Sequence, residues 1–150
     1  MIKGQTALEY LMTYGWAILI VIVAIGALYA LGLTKPCRWV GTQITGFSGG
    51  GFEISTPKFS AAGQSLVFDL TRIGSSTVNV TSATATYKTT TSTWDPVDYN
   101  ALTGNVTTAT FTGISGTNSG DCYSTDVTIN YVESGRTFTA SGKVSGTIEA

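Results

Sequence analysis

The residues able to do chemistry are few in kind. Ser and Thr together make up roughly 40 of the 150 positions, well above ordinary usage. The chain has no His, so no hydroxyl can meet an imidazole base, and neither a histidine metal ligand nor a histidine pH switch is available. No G-x-S-x-G elbow occurs. Carboxylates gather only at Asp95-Pro96-Val97-Asp98 and at Asp121 with Asp126. Such pairs can serve as glycosidase acids or hold Ca²⁺, but the spacing is not that of an EF-hand, and Asp in turns is the ordinary explanation. Gly49-Gly50-Gly51 lacks the Lys and Ser/Thr of a phosphate-binding loop. Neither catalysis nor a cofactor is expected.

Two cysteines, Cys37 and Cys122, supply too few ligands for a metal in a chain without His. They suit one disulfide, which would close a loop of about 85 residues and contribute roughly 4–5 kcal/mol in the chain-entropy model; two buried free thiols are the alternative. Asn79-Val80-Thr81 and Asn105-Val106-Thr107 are N-glycosylation sequons, meaningful only outside the cytoplasm. Glu9 stands at the edge of an uncharged stretch that runs from Tyr10 to Thr34. Charged residues are 11% of the chain, under half the usual share, and 8 basic against 9 acidic residues leave a net charge of -1. With no basic cluster to meet phosphates, a nucleic-acid partner is excluded.

The mean hydropathy of +0.22 is high for so hydroxyl-rich a chain because the apolar residues are concentrated. Trp16 to Leu33 is wholly apolar or glycine. Twenty-five helical residues reach roughly 37 Å, enough to span a bilayer. The run is apolar on every side, so it predicts a helix buried all round, in lipid or in other protein. It is too long for the core of a cleaved secretory signal, and no small-x-small cleavage site follows it. A plain anchor fits its length but does not explain Glu9. Gly15, Gly26 and Gly32 are either notches for close helix packing or the glycines common in membrane helices. Tyr10, Tyr14, Trp16 and Tyr29 are interfacial anchors or packing residues.

Lys3-Gly4, then Gln5-Thr6-Ala7-Leu8-Glu9-Tyr10-Leu11-Met12-Thr13-Tyr14-Gly15-Trp16-Ala17-Ile18-Leu19, resembles the class III signal peptide of archaeal type IV pilins over about the first 33 residues. The commoner form has Ser where this chain has Ala7 and Leu where it has Thr13. The resemblance implies a leader of residues 1–4, cut between Gly4 and Gln5 by a prepilin peptidase on the cytoplasmic side. The helix, residues 5–34, then stays on the mature protein, first in the membrane and afterwards in a filament core. Glu9 becomes the fifth mature residue, where the family carries an assembly Glu whose proposed partner is a free N-terminal amine, here that of Gln5. The competing reading of Glu9 is an acid at the helix start, favourable near the positive end of the dipole. A buried Glu without a partner is costly in either setting.

Lys3 precedes the apolar run and Lys35 and Arg38 follow it, so a bare positive-inside count would place the rest of the chain in the cytoplasm. The cysteine pair, the sequons and the leader resemblance place it outside. The expected function is a structural subunit that polymerises with copies of itself into an archaeal type IV pilus-like filament for surface adhesion. Its partners would be the membrane before assembly, the prepilin peptidase and the pilus assembly machinery. An archaellin-like motility subunit, a minor subunit that caps or primes the filament, and a membrane-anchored extracellular binding module that never polymerises are the alternatives.

Residues 35–150 read as β throughout, with Lys35-Pro36 ending the helix. Alternation predicts strands at Ser65–Arg72 and Asp126–Val132. Thr- and Val-rich composition predicts them at Thr77–Lys88 and Val106–Thr112. A hairpin turn at Glu133-Ser134-Gly135-Arg136 leads into Thr137–Ile148. Arg38–Ile44 and Phe52–Ser55 complete seven, with Ser48–Gly51 and Thr89–Thr93 as loops. The fold class is α+β, a long N-terminal hydrophobic helix followed by an antiparallel immunoglobulin-like β-sandwich.

Overall fold

The structure, a computed structural model, describes residues 5–33, 35, 37–96, 99–101 and 103–150. It divides into two compact units, one ending at Pro36 and one running from Cys37 to Ala150.

The first unit is α1, Gln5–Ala30, 26 residues long. It stops before Pro36 is reached. Gly32, at φ 69°, donates its N–H to the Tyr29 carbonyl at 3.0 Å, and Leu33 donates to Leu28 at 3.2 Å. This pair of bonds is a Schellman cap, in which a residue in left-handed conformation turns the chain while satisfying the last carbonyls. The proline is therefore not what ends the helix, and Gly32 is a cap rather than a packing notch.

The second unit is α+β's sheet half: two antiparallel sheets packed as a sandwich. Its elements are α2 (Cys37–Val40), β1 (Gln43–Thr45), a 3-10 turn at Phe47–Gly50, β2 (Phe52–Ser60), β3 (Ser65–Arg72), β4 (Val78–Tyr87), β5 (Thr90–Trp94), β6 (Tyr99–Ala101), β7 (Val106–Thr112), β8 (Cys122–Glu133) and β9 (Arg136–Thr147). One sheet runs β1-β9-β8-β4-β5, with β6 also pairing β4; the other runs β2-β3-β7. The strands β2-β3-β7 facing β5-β4-β8-β9 reproduce the immunoglobulin order A-B-E against C′-C-F-G.

Alternation explains which sheet face turns inward. In β3 Leu66, Phe68 and Leu70 are buried, and in β8 Tyr123, Val127, Ile129 and Tyr131 are. The inner faces meet through rings: Phe59 of β2 stacks on Tyr123 of β8 with centroids 4.9 Å apart, and Phe52 meets Tyr131 edge-on at 5.0 Å. One flank is closed by Ser92 Oγ of β5 donating to the Thr112 carbonyl of β7 at 2.7 Å. On the other flank Glu149 bonds with Phe59 and Ala61, so the C-terminal residues cross from one sheet to the other.

Three local expectations are corrected. Arg38–Val40 is the helical turn α2 and not a strand; only Gln43–Thr45 of that stretch pairs, with Ser145–Lys143 of β9. Thr89–Thr93 is not a loop but most of β5, reached by a two-residue turn in which Lys88 takes φ 54°. No Gly, Asn or Asp marks that turn, so the usual hairpin signal is missing. β2 continues beyond Ser55 to Ser60 by means of a bulge between Ser55 and Lys58, where Thr56 takes φ 49° beside Pro57. With β5 and β6 added, the sandwich has nine strands among the described residues where seven were read. The Glu133–Arg136 hairpin forms as expected, with Ser134 and Gly135 both at positive φ as a type I′ turn requires.

Candidate functional site

Two features distinguish this chain from a plain sandwich: α1 and the bridge that begins the second unit. Within Ala7–Ala30, the most apolar 18-residue stretch of α1 has a mean hydropathy of 2.3, and none of that stretch is buried within the chain. Leu8, Met12, Trp16, Ile20, Ile22 and Tyr29 are more than half exposed. Twenty-six residues extend about 39 Å, longer than a hydrocarbon core. It is the one helix among the described residues long and apolar enough to cross a membrane. Apolar surface on this scale is not left in water, so something outside the chain must cover it.

Gly4 lies outside the described residues, and Gln5 is the first residue of α1. Glu9 is exposed, and its backbone carbonyl accepts the Thr13 hydroxyl at 2.8 Å. It sits beyond the first turn of α1, where the dipole's influence has faded. Tyr10 and Tyr14 pair one turn apart with ring centroids 4.4 Å apart. A side chain added at Gly15 or Gly26 would meet nothing within 4 Å. No neighbour inside the chain demands glycine at either place.

Cys37 and Cys122 are joined, with Cα atoms 5.6 Å apart. The bridge ties the start of α2 to the first residue of β8. It lies inside the second unit, not between the sheets as in antibody domains. Thr147 of β9 places its hydroxyl 3.6 Å from Cys37 Sγ. An apolar helix able to act as signal or anchor, together with a disulfide, is the pairing of a membrane-associated or exported chain.

The two sequons differ in setting. Asn105 is exposed in the loop between Gly104 and β7. Asn79 lies within β4, paired to Asn100 on one side and Val132 on the other. The Thr81 hydroxyl of its sequon is already engaged with the Asn130 carbonyl at 3.1 Å.

The carboxylates are engaged separately. Asp121 accepts the Asn118 amide at 3.4 Å, Asp126 pairs with Lys143 at 3.3 Å, and Asp98 is outside the described residues. Among the described residues no three metal-ligating side chains gather. Asp69 accepts hydroxyls from Thr56 and Thr108, each at 2.8 Å, and these bonds hold its carboxyl below the usual range. At Tyr123, burial first and the Glu149 carboxylate second push the phenol up to about 12.

The sequence reading missed one polar cluster. Arg72 is buried at 4% exposure, donating to the Gly50 carbonyl at 2.7 Å, the Gly51 carbonyl at 3.2 Å and the Ser76 carbonyl at 3.3 Å. It also faces Glu133 at 3.5 Å and lies 5.2 Å from the Phe52 ring centre. Ser76 donates to the same Glu133 carboxylate. Gly51 and Gly74 leave room for the guanidinium, since a Cβ at either would collide with it. Arg72 continues the inward phase of Leu66, Phe68 and Leu70, so the alternation itself was the available hint, overlooked because a charged side chain at a strand end is ordinarily exposed.

A long apolar helix followed by antiparallel sheets is consistent with a type IV pilin-like fold. No protein-family model and no curated protein matches the chain.

Proposed function

We propose that the chain is a structural subunit of a type IV pilin-like filament, held in the membrane by α1 and carrying the sandwich outside the cell as the adhesive surface. The observation that carries this reading is α1 itself. It is apolar all round, uncovered by its own chain and interrupted by one acid, Glu9, in its second turn. A simple anchor has no use for an acid there, whereas a helix that leaves lipid for a bundle of its copies can pair it with a neighbour's N-terminal amine. Assembly then exchanges lipid contacts for helix–helix contacts, held by close packing. Helical growth needs a heterologous contact that does not close on itself.

The disulfide and the exposed Asn105 sequon support an extracellular sandwich. Prepilin peptidase and assembly machinery follow from the leader resemblance. Mass spectrometry of the N-terminal peptide, from sheared filaments and from membranes separately, tests the reading. A peptide starting at Gln5 in the filaments is the expected result; intact Met1 found only in membranes would leave an anchored extracellular module. Glu9→Gln is expected to lower filament yield while membrane levels hold, and an unchanged yield would remove Glu9 from assembly. Loss of swimming on deletion of the chain would favour the motility subunit.

A further inference from the structure

The feature that neither the fold nor the filament reading absorbs is α2. Its residues Trp39 and Val40 are 70% and 61% exposed, and Arg38 beside them is exposed as well. A tryptophan on a folded domain ordinarily packs its large ring against that domain. Here the turn that carries it is fixed at its first residue by the Cys37–Cys122 bridge, and its last carbonyl accepts the Gln43 amide at 3.2 Å. The ring is thus presented outward from a fastened support.

We propose that α2 is a membrane foot: when α1 is in the bilayer, Trp39 and Val40 enter the headgroup region of the same membrane and Arg38 meets lipid phosphates. The proposal rests on α1 spanning a membrane. Chain length limits where α2 can be. Trp39 lies six residues beyond Leu33, so it can be no more than roughly 20 Å from the end of the capped helix. The headgroup zone begins at that end, and it is where Trp concentrates, with its ring in the apolar boundary and its N–H in the wet layer.

Charge agrees. Between Glu9 and Glu53 the sequence has no acidic residue, and the only charges are Lys35 and Arg38. A cation at the surface of an anionic leaflet is attracted to it. Asp121, next to the bridge, is engaged by Asn118. The occupant is therefore a lipid surface bearing anionic phosphates rather than an acidic protein partner, for which one arginine in an apolar turn is a poor match.

The chain has three tryptophans, which allows a test with an internal control. Full-length W16F/W94F keeps Trp39 alone, and full-length W39F/W94F keeps Trp16 alone. Both are reconstituted in phosphatidylcholine vesicles with a minority of phosphatidylglycerol, carrying nitroxide either at the headgroup or at mid-chain. Trp16 should be quenched by nitroxide within the bilayer, which checks the span. Trp39 should show blue-shifted emission relative to the detergent-free reduced and unfolded chain, stronger quenching by headgroup than by mid-chain nitroxide, and loss of quenching by soluble acrylamide. Trp16 quenched with Trp39 still open to acrylamide would overturn the foot and leave the span intact. Trp16 untouched by any lipid nitroxide would overturn the span and the foot with it. Should the doubly substituted chains not fold, Trp39→Phe alone must remove a headgroup-quenched component from the wild-type emission, and no change there also overturns the proposal.

Discussion

Removing the bridge by the double substitution Cys37→Ser/Cys122→Ser gives the sharpest stability prediction. The two cysteines are 85 residues apart in sequence, and the closed loop takes in α2 and β1 through β7. In the chain-entropy model a loop of that length contributes about 4.6 kcal/mol by restricting the unfolded ensemble. A unit of roughly 114 residues has an unfolding entropy of about 0.24 kcal/mol/K near its midpoint, so the loss corresponds to a fall in Tm of about 19 °C. The assay is thermal unfolding of the full chain in detergent, followed by the far-ultraviolet sheet signal and by near-ultraviolet tyrosine and tryptophan signals together. Coincident transitions by the two probes are needed before one Tm is assigned. The wild type after full reduction should fall to the same Tm as the double variant. A drop of only a few degrees would show that the loop is already restricted in the unfolded chain, and the entropic reasoning would fail for this bridge.

The remaining predictions concern the sandwich. Burial raises the Tyr123 phenol from 10.0 to about 12, so the folded state holds this proton more tightly than the unfolded chain does. The corresponding stability is fully present below pH 10 and is lost as pH rises through about 12, a change of about 2–3 kcal/mol; urea midpoints across that window should show it, and Tyr123→Phe should flatten it. Arg72→Met leaves three carbonyl contacts and the Glu133 carboxylate without their cation and should cost about 3–5 kcal/mol in urea unfolding; a loss below about 1 kcal/mol would mean that solvent satisfies the cluster. Glycopeptide mapping of native protein should find any N-glycan on Asn105 and not on Asn79, and an Asn79 glycan at equal occupancy would show that transfer precedes formation of β4.

Legibility followed the strength of local patterns. β3 was readable to the residue because it turns a regular alternation to one core face, and β7 because its Thr- and Val-rich composition favours a strand. The β8–β9 hairpin was readable because Gly135 supplies a residue suited to positive φ. β5 was hidden because its turn uses Lys88 and Thr89 and its strand has no large inward residue except Trp94 at its end; Ser92 fills the buried position. α2 was taken for strand because Trp and Val favour sheets, and a covalent bridge overrode that local preference. The end of α1 was placed at the proline, but a capping glycine acts earlier. At the candidate site, the apolar run and Glu9 were plain in the sequence, and so was the cysteine pair. The exposure of Trp39 and the unequal setting of the two sequons were not, because both depend on which partner strand lies alongside.

The outer faces of the sandwich bear on how copies would meet. Across four strands of the larger sheet, Thr93, Thr84, Thr128 and Ser141 stand in register, and the next rank holds Thr91, Thr86, Asp126 and Lys143. Charge in these ranks is confined to one pair of opposite sign. Such a face repels an identical face weakly, yet hydroxyls keep it wet. The strand edges behave differently. β2 is interrupted by Pro57 and a bulge, β1 has three residues, and β7 gives its last carbonyl to Ser92. These are the devices by which sheets resist pairing edge to edge. Strand addition at these three edges is therefore opposed, and under the filament proposal copies would meet through α1 rather than along them. The long continuous apolar surface that demands a partner is that of α1, with Trp39 and Val40 of α2 the nearest exposed apolar pair after it in sequence. In the proposed filament, sandwiches with such faces would be crowded at the spacing the helices dictate, without these three edges imposing a competing register.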